Sequence, residues 1–188
     1  MKLNLGCGFN KLDSFVNVDK DPACEPDRVF DLEVFPWPFP DEAATEIELS
    51  HVLEHLGSTP KIYLAIIKEL YRISKPNGRI RILVPHPRHD SFLADPTHVR
   101  PILAQSFQLF NKALNREWLA TGKSNTPLAL QLDVDFEIVR VNHELEQHWT
   151  DRIQAGTITE AELETEIGMY GNVVKQTTIE LQVIKPGR

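Results

Sequence analysis

Two segments near the beginning of the sequence carry the clearest structural signal: KLNLGCG at residues 2–8 and FVNVD at residues 15–19. Each contains a short apolar run typical of a buried strand, and the first continues directly into a Gly-x-Gly turn at Gly6 and Gly8. The second ends on a single acid, Asp19. Glycines let a ligand approach the backbone closely, and an acid after the neighbouring strand can accept hydrogen bonds from ribose hydroxyls. The two segments therefore predict a turn that holds a nucleoside.

The bulk composition is that of a single globular domain. The chain has 188 residues, of which 41% are hydrophobic and 25% charged, and its net charge is −7. No apolar run approaches the ~20 residues of a membrane span, and no signal-peptide core is present. The acidic balance argues against a general nucleic-acid binder, which needs a basic surface. Two cysteines form no disulfide framework, so we expect a cytoplasmic protein. The acidic charge and the absence of a long apolar run predict no nucleic-acid partner and no membrane partner.

Hydrophobic periodicity predicts an α/β protein. Short apolar strands are expected at residues 3–5, 16–18, 29–32, 46–49 and 80–84. About ten residues separate the first two, near the lower limit for a parallel crossover, so a loop or a very short helix should join them. Thr59 or Ser58 should cap a helix that begins at Pro60 and carries its apolar stripe to Ile73. A turn is expected at 75–78, and Arg81 in the following strand requires an ion pair or an edge-facing position.

The second half of the chain predicts two longer strands separated by helices. A helix is expected from Leu103 to Trp118, and strict alternation predicts a half-buried strand over 128–138 with a bulge at Ile138. A helix should follow and end near Gly156, and another should start with a capping box. Alternation over 177–183 predicts the last strand. The expected sheet has five parallel strands followed by two antiparallel strands at its edge.

Six segments together resemble the class I methyltransferases that use S-adenosylmethionine, in their small, methyltransferase type 11-like form. In chain order these segments are LNLGCG, VNVD, Asp31-Leu32, PFPD at 38–41, SHVLEH at 50–55 and LYRISKPNG at 70–78. The resemblance covers residues 2 to about 98. It implies a Rossmann-like sheet, mostly parallel with an antiparallel strand near the C-terminal edge, S-adenosyl-L-methionine as cofactor, and methyl transfer as the activity. The whole chain, 1–188, would be one methyltransferase-like domain, with about 98–127 and 142–172 as helical substrate or lid insertions.

The resemblance also assigns residues to the cofactor. Those residues are Gly6, Cys7, Gly8, Asp19, Lys20, Asp31, Leu32, Ser50 and His51. The glycine turn would pack against the methionine part and the ribose, and Asp19 would take the ribose hydroxyls. Asp31 would accept the adenine amino group while Leu32 packs on the ring. Ser50 or His51 would contact the amino-acid end. Asn10 stands at the position of a third glycine in many relatives.

The densest polar cluster is the histidine-rich loop at residues 86–100, which follows the fifth strand. Loops at the carboxyl ends of parallel strands are where open α/β sheets bind ligands. An acceptor hydroxyl or amine needs a base within hydrogen-bond reach, and histidine titrates near neutrality. The candidate catalytic residues are therefore His98, His86 and His51, acting on a small-molecule methyl acceptor. This loop, the helix after it, or the second subunit of a homodimer should cover the pocket.

Three other functions fit parts of the sequence. A dinucleotide such as NAD is disfavoured because 13 residues separate Gly6 from Asp19, against ~20 in dinucleotide-binding folds. A methyltransferase-like protein that binds the cofactor without catalysis is the first alternative. A zinc hydrolase using His51, Glu54 and His55 in an H-x-x-E-H pattern is the second, although no long helix supports that motif. Histidines and acids of the 86–100 loop could converge on a metal, but their spacing matches no tight ligand pattern, so we expect no metal ligands.

Overall fold

The computed structural model describes residues 1–186, which build a seven-stranded mixed sheet. Its strands are β1 (Lys2–Leu5), β2 (Val16–Asp19), β3 (Arg28–Val29), β4 (Ala44–Ser50), β5 (Ser74–Pro85), β6 (Phe136–Leu145) and β7 (Val174–Val183). Their spatial order is β3-β2-β1-β4-β5-β7-β6. The first five pair in parallel, whereas β7 lies antiparallel between β5 and β6. The predicted Rossmann-like sheet, mostly parallel with antiparallel strands at the C-terminal edge, is confirmed.

Helices connect the strands. The α-helices are α1 (Pro60–Ile73), α2 (Asp90–Leu93), α3 (Lys112–Thr121), α4 (Leu128–Leu132), α5 (Gln147–Gln154) and α6 (Glu160–Met169). Short 3₁₀ helices occupy Pro22–Cys24, Leu53–His55 and Ala104–Phe110. Among residues 1–186, no helix combines the length and the apolar character needed to cross a membrane.

The core lies between the sheet and α1. Leu5 and Ile47 of the central strands are completely buried, and α1 turns Ile66 and Ile73 toward them. Thr59 caps α1 as predicted, since its hydroxyl accepts a hydrogen bond from the Ile62 amide at 3.4 Å. Proline at the first helical position removes no helical hydrogen bond, because a backbone N–H at that position has no acceptor within the helix. The central strands and α1 thus form the rigid base on which the loops at the carboxyl edge of the sheet are held.

The β1–β2 connection, residues 6–15, is a loop, as its length predicted. Buried side chains on the strands hold it. Asn4 Nδ2 donates to the Asn10 carbonyl oxygen and to Asn17 Oδ1, both at 2.9 Å, and Asn17 Oδ1 also accepts from the Leu12 amide at 2.8 Å. Asp27 Oδ2 accepts from the backbone and the side-chain amide of Asn17 at 2.7 and 3.0 Å. Side-chain amides therefore supply the hydrogen bonds that a crossover helix would otherwise make internally.

We expect Asn17→Ala to lower the free energy of unfolding by about 1–3 kcal/mol, because buried donors and acceptors would lose their partner. Urea unfolding of the purified protein measures the change. Asn10→Ala is the matched control, since the Asn10 side chain is exposed and only its carbonyl oxygen bonds to Asn4. Equal stability of the two variants would contradict a structural role for the Asn17 side chain.

The expected strand over 128–138 is wrong in its first half. Residues 128–132 form α4, and β6 begins only at Phe136. Leu128 and Leu132 are four residues apart, so the same apolar residues also fit one face of a helical turn. Asp133 ends the helix in a left-handed conformation with φ +55°. The predicted bulge is confirmed, since the β6–β7 register shifts between Ile138 and Arg140.

Three other boundaries differ from expectation. The helix expected from Leu103 to Trp118 is divided into the 3₁₀ helix Ala104–Phe110 and α3, because Asn111 interrupts it and caps α3 through its side chain. The third strand stops at Val29, before the expected Leu32. The turn expected at 75–78 lies within β5 as an irregularity, where pairing with β4 jumps from Ser74 to Arg79. The helix near Gly156 and the capping box of Thr159 and Glu162 are present as predicted.

Arg81 forms the ion pair that its position in a central strand required. Its partner is Glu48 on the neighbouring strand β4. Burial raises the pKa of the Glu48 carboxyl, and the positive charge of Arg81 opposes that effect. The pair accounts for a charged residue in a strand whose alternate positions, Ile80 and Ile82, are fully buried.

Candidate functional site

A pocket of about 410 Å³ opens beyond the carboxyl ends of β1, β2 and β4. This is the edge at which open α/β sheets bind ligands. Six of the residues assigned to the cofactor line it, namely Gly6, Asp19, Lys20, Asp31, Leu32 and His51. The other three assigned residues are not part of the pocket wall: Cys7 and Ser50 are next to Gly6 and His51 in the chain, and Gly8 follows Cys7.

Gly6 presents bare backbone to the pocket. Its φ of +69° is a left-handed conformation that favours glycine. A Cβ there would lie 2.5 Å from Cγ2 of Val52, another residue of the pocket wall. The next residue, Cys7, is buried and its amide donates to the Val18 carbonyl oxygen at 2.9 Å. Burial and the neighbouring charge of Asp19 raise the pKa of the Cys7 thiol, so this cysteine is a structural residue of the turn.

Asp19 is oriented by two backbone amides. The Gly8 amide donates to Oδ2 at 2.8 Å and the Asp21 amide donates to Oδ1 at 2.9 Å. Each carboxylate oxygen can accept about two hydrogen bonds, so acceptor capacity remains on the side chain after both amides are bound. The carboxylate is half-buried at the pocket wall. It is therefore a fixed anion with free lone pairs, which suits a ligand that carries adjacent hydroxyls.

The segment 30–33 forms a further part of the pocket wall. Its position is set by the Phe30 amide, which donates to the Asp19 carbonyl oxygen at 3.1 Å. Asp31 Oδ1 accepts from the Glu33 amide at 2.9 Å, and Glu33 Oε1 accepts from the Gly57 amide at 2.7 Å. Buried Leu32 adds an apolar surface beside the Phe30 ring. This wall combines an aromatic ring, an aliphatic side chain and a carboxylate, which is the chemistry that an adenine ring and its amino group require.

His51 lies directly after β4 in a conformation that is uncommon for a residue with a side chain. Its φ is +55°, and its amide donates to the Leu83 carbonyl oxygen at 2.8 Å. Such conformations cluster at functional sites. Its Nδ1 is 3.5 Å from Oε1 of buried Glu54, and this carboxylate is the main cause of the raised pKa of His51. His51 is consequently more suited to presenting a positive charge than to accepting a proton near neutral pH.

His98 does not line the pocket, but it packs against a residue that does. The rings of His98 and His55 are 4.6 Å apart between centroids, in an edge-to-face arrangement. His55 lies in the pocket wall together with Thr97. On its other side, His98 stacks on Phe92 with the ring centroids 5.2 Å apart. His98 is thus one side chain removed from the pocket.

His86 lies in a second, larger cavity of about 960 Å³. Its ring is perpendicular to that of His143 with centroids 6.3 Å apart. Burial lowers the pKa of His86 to about 4, with the charges of His143, Arg88 and His89 adding to the effect. His86 is therefore a neutral imidazole at physiological pH. The structure places the three candidate catalytic histidines in different surroundings: His51 in the first pocket, His98 behind its wall, and His86 in the second cavity.

The H-x-x-E-H pattern at 51–55 does not lie on one helix. His51 follows a strand in a left-handed conformation, and Leu53–His55 is a single 3₁₀ turn. A zinc peptidase of this pattern needs both histidines on one helical face with the glutamate beside a metal-bound water. The local backbone required by the zinc-hydrolase alternative is not formed by residues 51–55.

Several lining residues were not assigned from the sequence. They are Phe30, Glu33, Val52, His55, Leu56 and Thr97. Most adjoin a residue that was assigned, since Phe30 and Glu33 flank the Asp31-Leu32 pair and Thr97 precedes His98. The residues next to each assigned position could therefore have been predicted from the sequence as further residues of the pocket wall.

No protein-family model matches the chain, and no curated protein matches it in sequence. Solved structures match its fold. A SAM-dependent methyltransferase from Archaeoglobus fulgidus gives a TM-score of 0.63 at 18% identity, covering 96% of this chain and 85% of the other. A SAM-dependent methyltransferase from Methanosarcina mazei gives 0.55 at 12% identity, covering 98% and 92%. The 4+2 cyclase SpnF gives 0.55 at 15% identity, covering 98% and 74%.

Each of these three similarities spans nearly the whole of this chain and so includes its seven-stranded sheet with the antiparallel β7. The chain therefore has the fold of the class I S-adenosylmethionine-dependent methyltransferases.

Proposed function

We propose that the protein binds S-adenosyl-L-methionine in the 410 Å³ pocket and transfers its methyl group to a small molecule. One observation carries the proposal: Gly6, Asp19 and Asp31 come from three separate segments and converge on one pocket. Its volume is within the range of about 300–1,000 Å³ typical of small-ligand sites. Asp19 has the free acceptor capacity that two ribose hydroxyls need, and the Phe30–Leu32 wall suits adenine. The residues present thus fit the cofactor.

When bound, S-adenosyl-L-methionine supplies a methyl group on a positively charged sulfur, ready for an in-line displacement. The protein's part is to orient donor and acceptor and to hold their charges. Gly6 would let the methionine part lie against backbone. Asp19 would fix the ribose, Asp31 would accept from the adenine amino group, and His51 would face the amino-acid end, where a histidine with a raised pKa favours the carboxylate.

We propose that the second cavity receives the acceptor. Its wall includes Leu103 from the 98–127 segment and Ile167 from the 142–172 segment, so both expected insertions enclose it. The second insertion is fastened to the histidine-rich loop, because Arg88 Nη1 donates to the Gly168 carbonyl oxygen at 2.8 Å. His86 and His143 offer neutral imidazoles there, and burial lowers the pKa of both. His86 Nδ1 already accepts from the Arg88 amide at 3.3 Å, so the neutral ring presents Nε2–H and would orient the acceptor as a hydrogen-bond donor rather than take its proton.

The test is a calorimetric titration of the protein with S-adenosylhomocysteine, the product form of the cofactor. We expect one site with micromolar affinity and no binding of NAD, which serves as the nucleotide control. Failure to bind S-adenosylhomocysteine at millimolar concentration would contradict the proposal.

A second measurement separates catalysis from binding alone. Incubation of the protein with S-adenosyl-L-methionine and panels of small hydroxylated and amino compounds should release S-adenosylhomocysteine with at least one of them. The fold by itself does not decide this point, since the 4+2 cyclase SpnF shares it. Tight binding with no turnover across such panels would favour the non-catalytic alternative.

A further inference from the structure

Three potential metal ligands converge beside the first pocket, outside the residues assigned to the cofactor. Glu54, His55 and His98 each offer one ligand atom, and these atoms all lie within 4.8 Å of one another. His55 and His98 are 43 residues apart in the chain, so no local sequence spacing reveals them. The loop that carries His98 is fixed against the 3₁₀ turn, because the amides of Val99 and Arg100 donate to the Glu54 carbonyl oxygen at 2.9 and 3.1 Å.

The Glu54 carboxylate is buried and lacks hydrogen bonds. Its side chain is 1% exposed, and neither Oε1 nor Oε2 has a hydrogen-bond partner among the described residues. The nearest cationic group is His51 Nδ1 at 3.5 Å, which contributes charge without an aligned hydrogen bond. An isolated buried carboxylate is expensive to maintain unless an ion or a donor compensates it. The Glu54 carboxylate thus has His51 as an ion-pair partner but no hydrogen-bond donor among the described residues, so both oxygens keep lone pairs for a ligand.

The hydrogen bonds of His98 leave its second nitrogen available. Nδ1 lies 2.9 Å from the carbonyl oxygen of Phe92, which can only accept, so Nδ1 carries a proton. Nε2 then holds a lone pair in the neutral ring. Asp95 Oδ2 is 3.7 Å from this Nε2, beyond hydrogen-bond distance. An imidazole fixed in this way through its outer nitrogen is the usual arrangement of a metal-binding histidine.

The same logic applies to His55 through a chain of three groups. The Thr97 hydroxyl donates its proton to Asp95 Oδ1 at 2.6 Å. Its oxygen must therefore accept from His55 Nδ1, 2.9 Å away, so Nε2 is the nitrogen of His55 that remains for an ion. A carboxylate that orients a ligand histidine through an intermediate hydroxyl increases the basicity of the ring. Each of the two rings is thus held through Nδ1, and Nε2 is the nitrogen left to bind an ion.

We propose that Glu54, His55 and His98 bind a divalent first-row transition ion, with zinc preferred to manganese. Two imidazoles and one carboxylate suit such ions, whereas magnesium prefers oxygen ligands and water. Metal–ligand bonds of about 2.0–2.2 Å require the three atoms to approach to about 3–4 Å, a small side-chain movement from the present 4.8 Å. Because His55 also lines the pocket, an ion held by these three residues would lie next to it.

The ion would bear on the proposed methyl transfer by fixing His55 in the wall of the first pocket. Binding of the metal itself does not depend on that activity, so the two proposals are tested separately.

The test begins with the full-length protein treated with EDTA and dialysed into metal-free buffer. Calorimetric titration with zinc chloride should show one site per chain with a dissociation constant below about 1 μM, and magnesium chloride should bind at least 100-fold more weakly. Cobalt chloride should give visible absorption bands from the bound ion. Absence of one-to-one zinc binding to the unmodified protein would overturn the proposal.

Variants assign the ligands. Glu54→Gln and His98→Ala should each weaken zinc binding at least 30-fold and remove the cobalt spectrum. His148→Ala is the matched control, because His148 is an exposed histidine on α5 that contacts Trp149, and it should bind zinc as the unmodified protein does. Unchanged affinity in both Glu54→Gln and His98→Ala would overturn the proposal, and so would a loss of affinity in His148→Ala.

A fourth variant tests the proposal in case Glu54→Gln does not fold because Glu54 is buried. Thr97→Val replaces an exposed residue of the pocket wall and removes the hydroxyl that orients His55. Loss of such an outer-shell partner typically weakens metal binding by about 10–100-fold, so we expect a reduction of at least tenfold. S-adenosylhomocysteine affinity of the metal-free unmodified protein and of His148→Ala reports the cofactor proposal independently. Unaltered zinc affinity in Thr97→Val would contradict the assigned geometry.

Discussion

Replacement of Asp19 by asparagine should weaken S-adenosylhomocysteine binding by about 10- to 100-fold, since a charged acceptor contributes about 1.5–3 kcal/mol per hydrogen bond. Asparagine keeps one carbonyl oxygen for the Gly8 amide, which now donates to Asp19 Oδ2 at 2.8 Å. The Asp21 amide and the ribose would then meet an uncharged group or an amide nitrogen. Calorimetry with S-adenosylhomocysteine measures the loss, and thermal unfolding without ligand shows whether the fold is retained.

Asp13→Asn is the matched control for this variant. Asp13 is an exposed acid in the same β1–β2 loop, and its replacement changes the net charge by the same amount. Its affinity should equal that of the unmodified protein. Equal losses in both variants would attribute the effect to long-range charge, and an unaffected Asp19→Asn would remove Asp19 from the binding site.

Replacement of Glu69 by alanine should lower the free energy of unfolding by about 2–4 kcal/mol, because it leaves several buried donors without a partner. Glu69 lies on α1 and is 8% exposed. Its Oε2 accepts from the Trp37 amide and from Arg72 Nη2, both at 2.7 Å. Arg72 in turn donates to the carbonyl oxygens of Phe39 and Trp37 at 2.8 and 3.1 Å. The Glu69–Arg72 pair thus joins the segment 35–40, which contains three prolines, to α1.

Chemical denaturation of Glu69→Ala and of Lys68→Ala compares this site with its exposed neighbour on the same helix. Lys68→Ala should change the stability by less than about 0.5 kcal/mol, as surface substitutions usually do. A similar, small effect in both variants would show that the Glu69 hydrogen bonds contribute little to the net stability.

The contribution of Glu69 should also depend on pH. Burial raises the pKa of Glu69, but the hydrogen bonds from Arg72 and from the Trp37 amide outweigh it, so the pKa lies below its ordinary value. A carboxyl with a lowered folded-state pKa stabilises the fold above its unfolded pKa of about 4.3, and the effect is lost as the pH falls through the folded value. The stability difference between the unmodified protein and Glu69→Gln should therefore be larger at pH 7 than at pH 3.5.

Local sequence rules predicted the elements whose residues are compatible with only one type of secondary structure. The buried runs of β1 and β2 can only be strands at that length, and Thr59 with Pro60 specifies where α1 begins. The segment Leu128–Leu132 is compatible with two secondary structures, because its leucines fit both one face of a strand and one helical turn. Contacts with the rest of the molecule select the helix, and five residues contain no information about those contacts.

The same distinction applies to the site. Asp19 and Asp31 could be assigned because each follows a strand, and parallel strands bring such positions to one edge of the sheet. The convergence of Glu54 and His98 could not be assigned, because it depends on how the long 86–100 loop returns to the 3₁₀ turn. Loop paths follow from tertiary hydrogen bonds, whereas strand ends follow from periodicity.

The helix-free β1–β2 loop has a thermodynamic consequence for ligand binding. Its order depends on Asn4, Asn17 and Asp27, which belong to neighbouring strands and loops. A segment held by a few side-chain bonds opens locally at a lower free energy than the sheet beneath it. A ligand packed on Gly6 would favour the closed form, so part of its binding energy would be spent on suppressing these openings. Amide hydrogen exchange in the loop would then slow on ligand binding while exchange in the central strands stays the same.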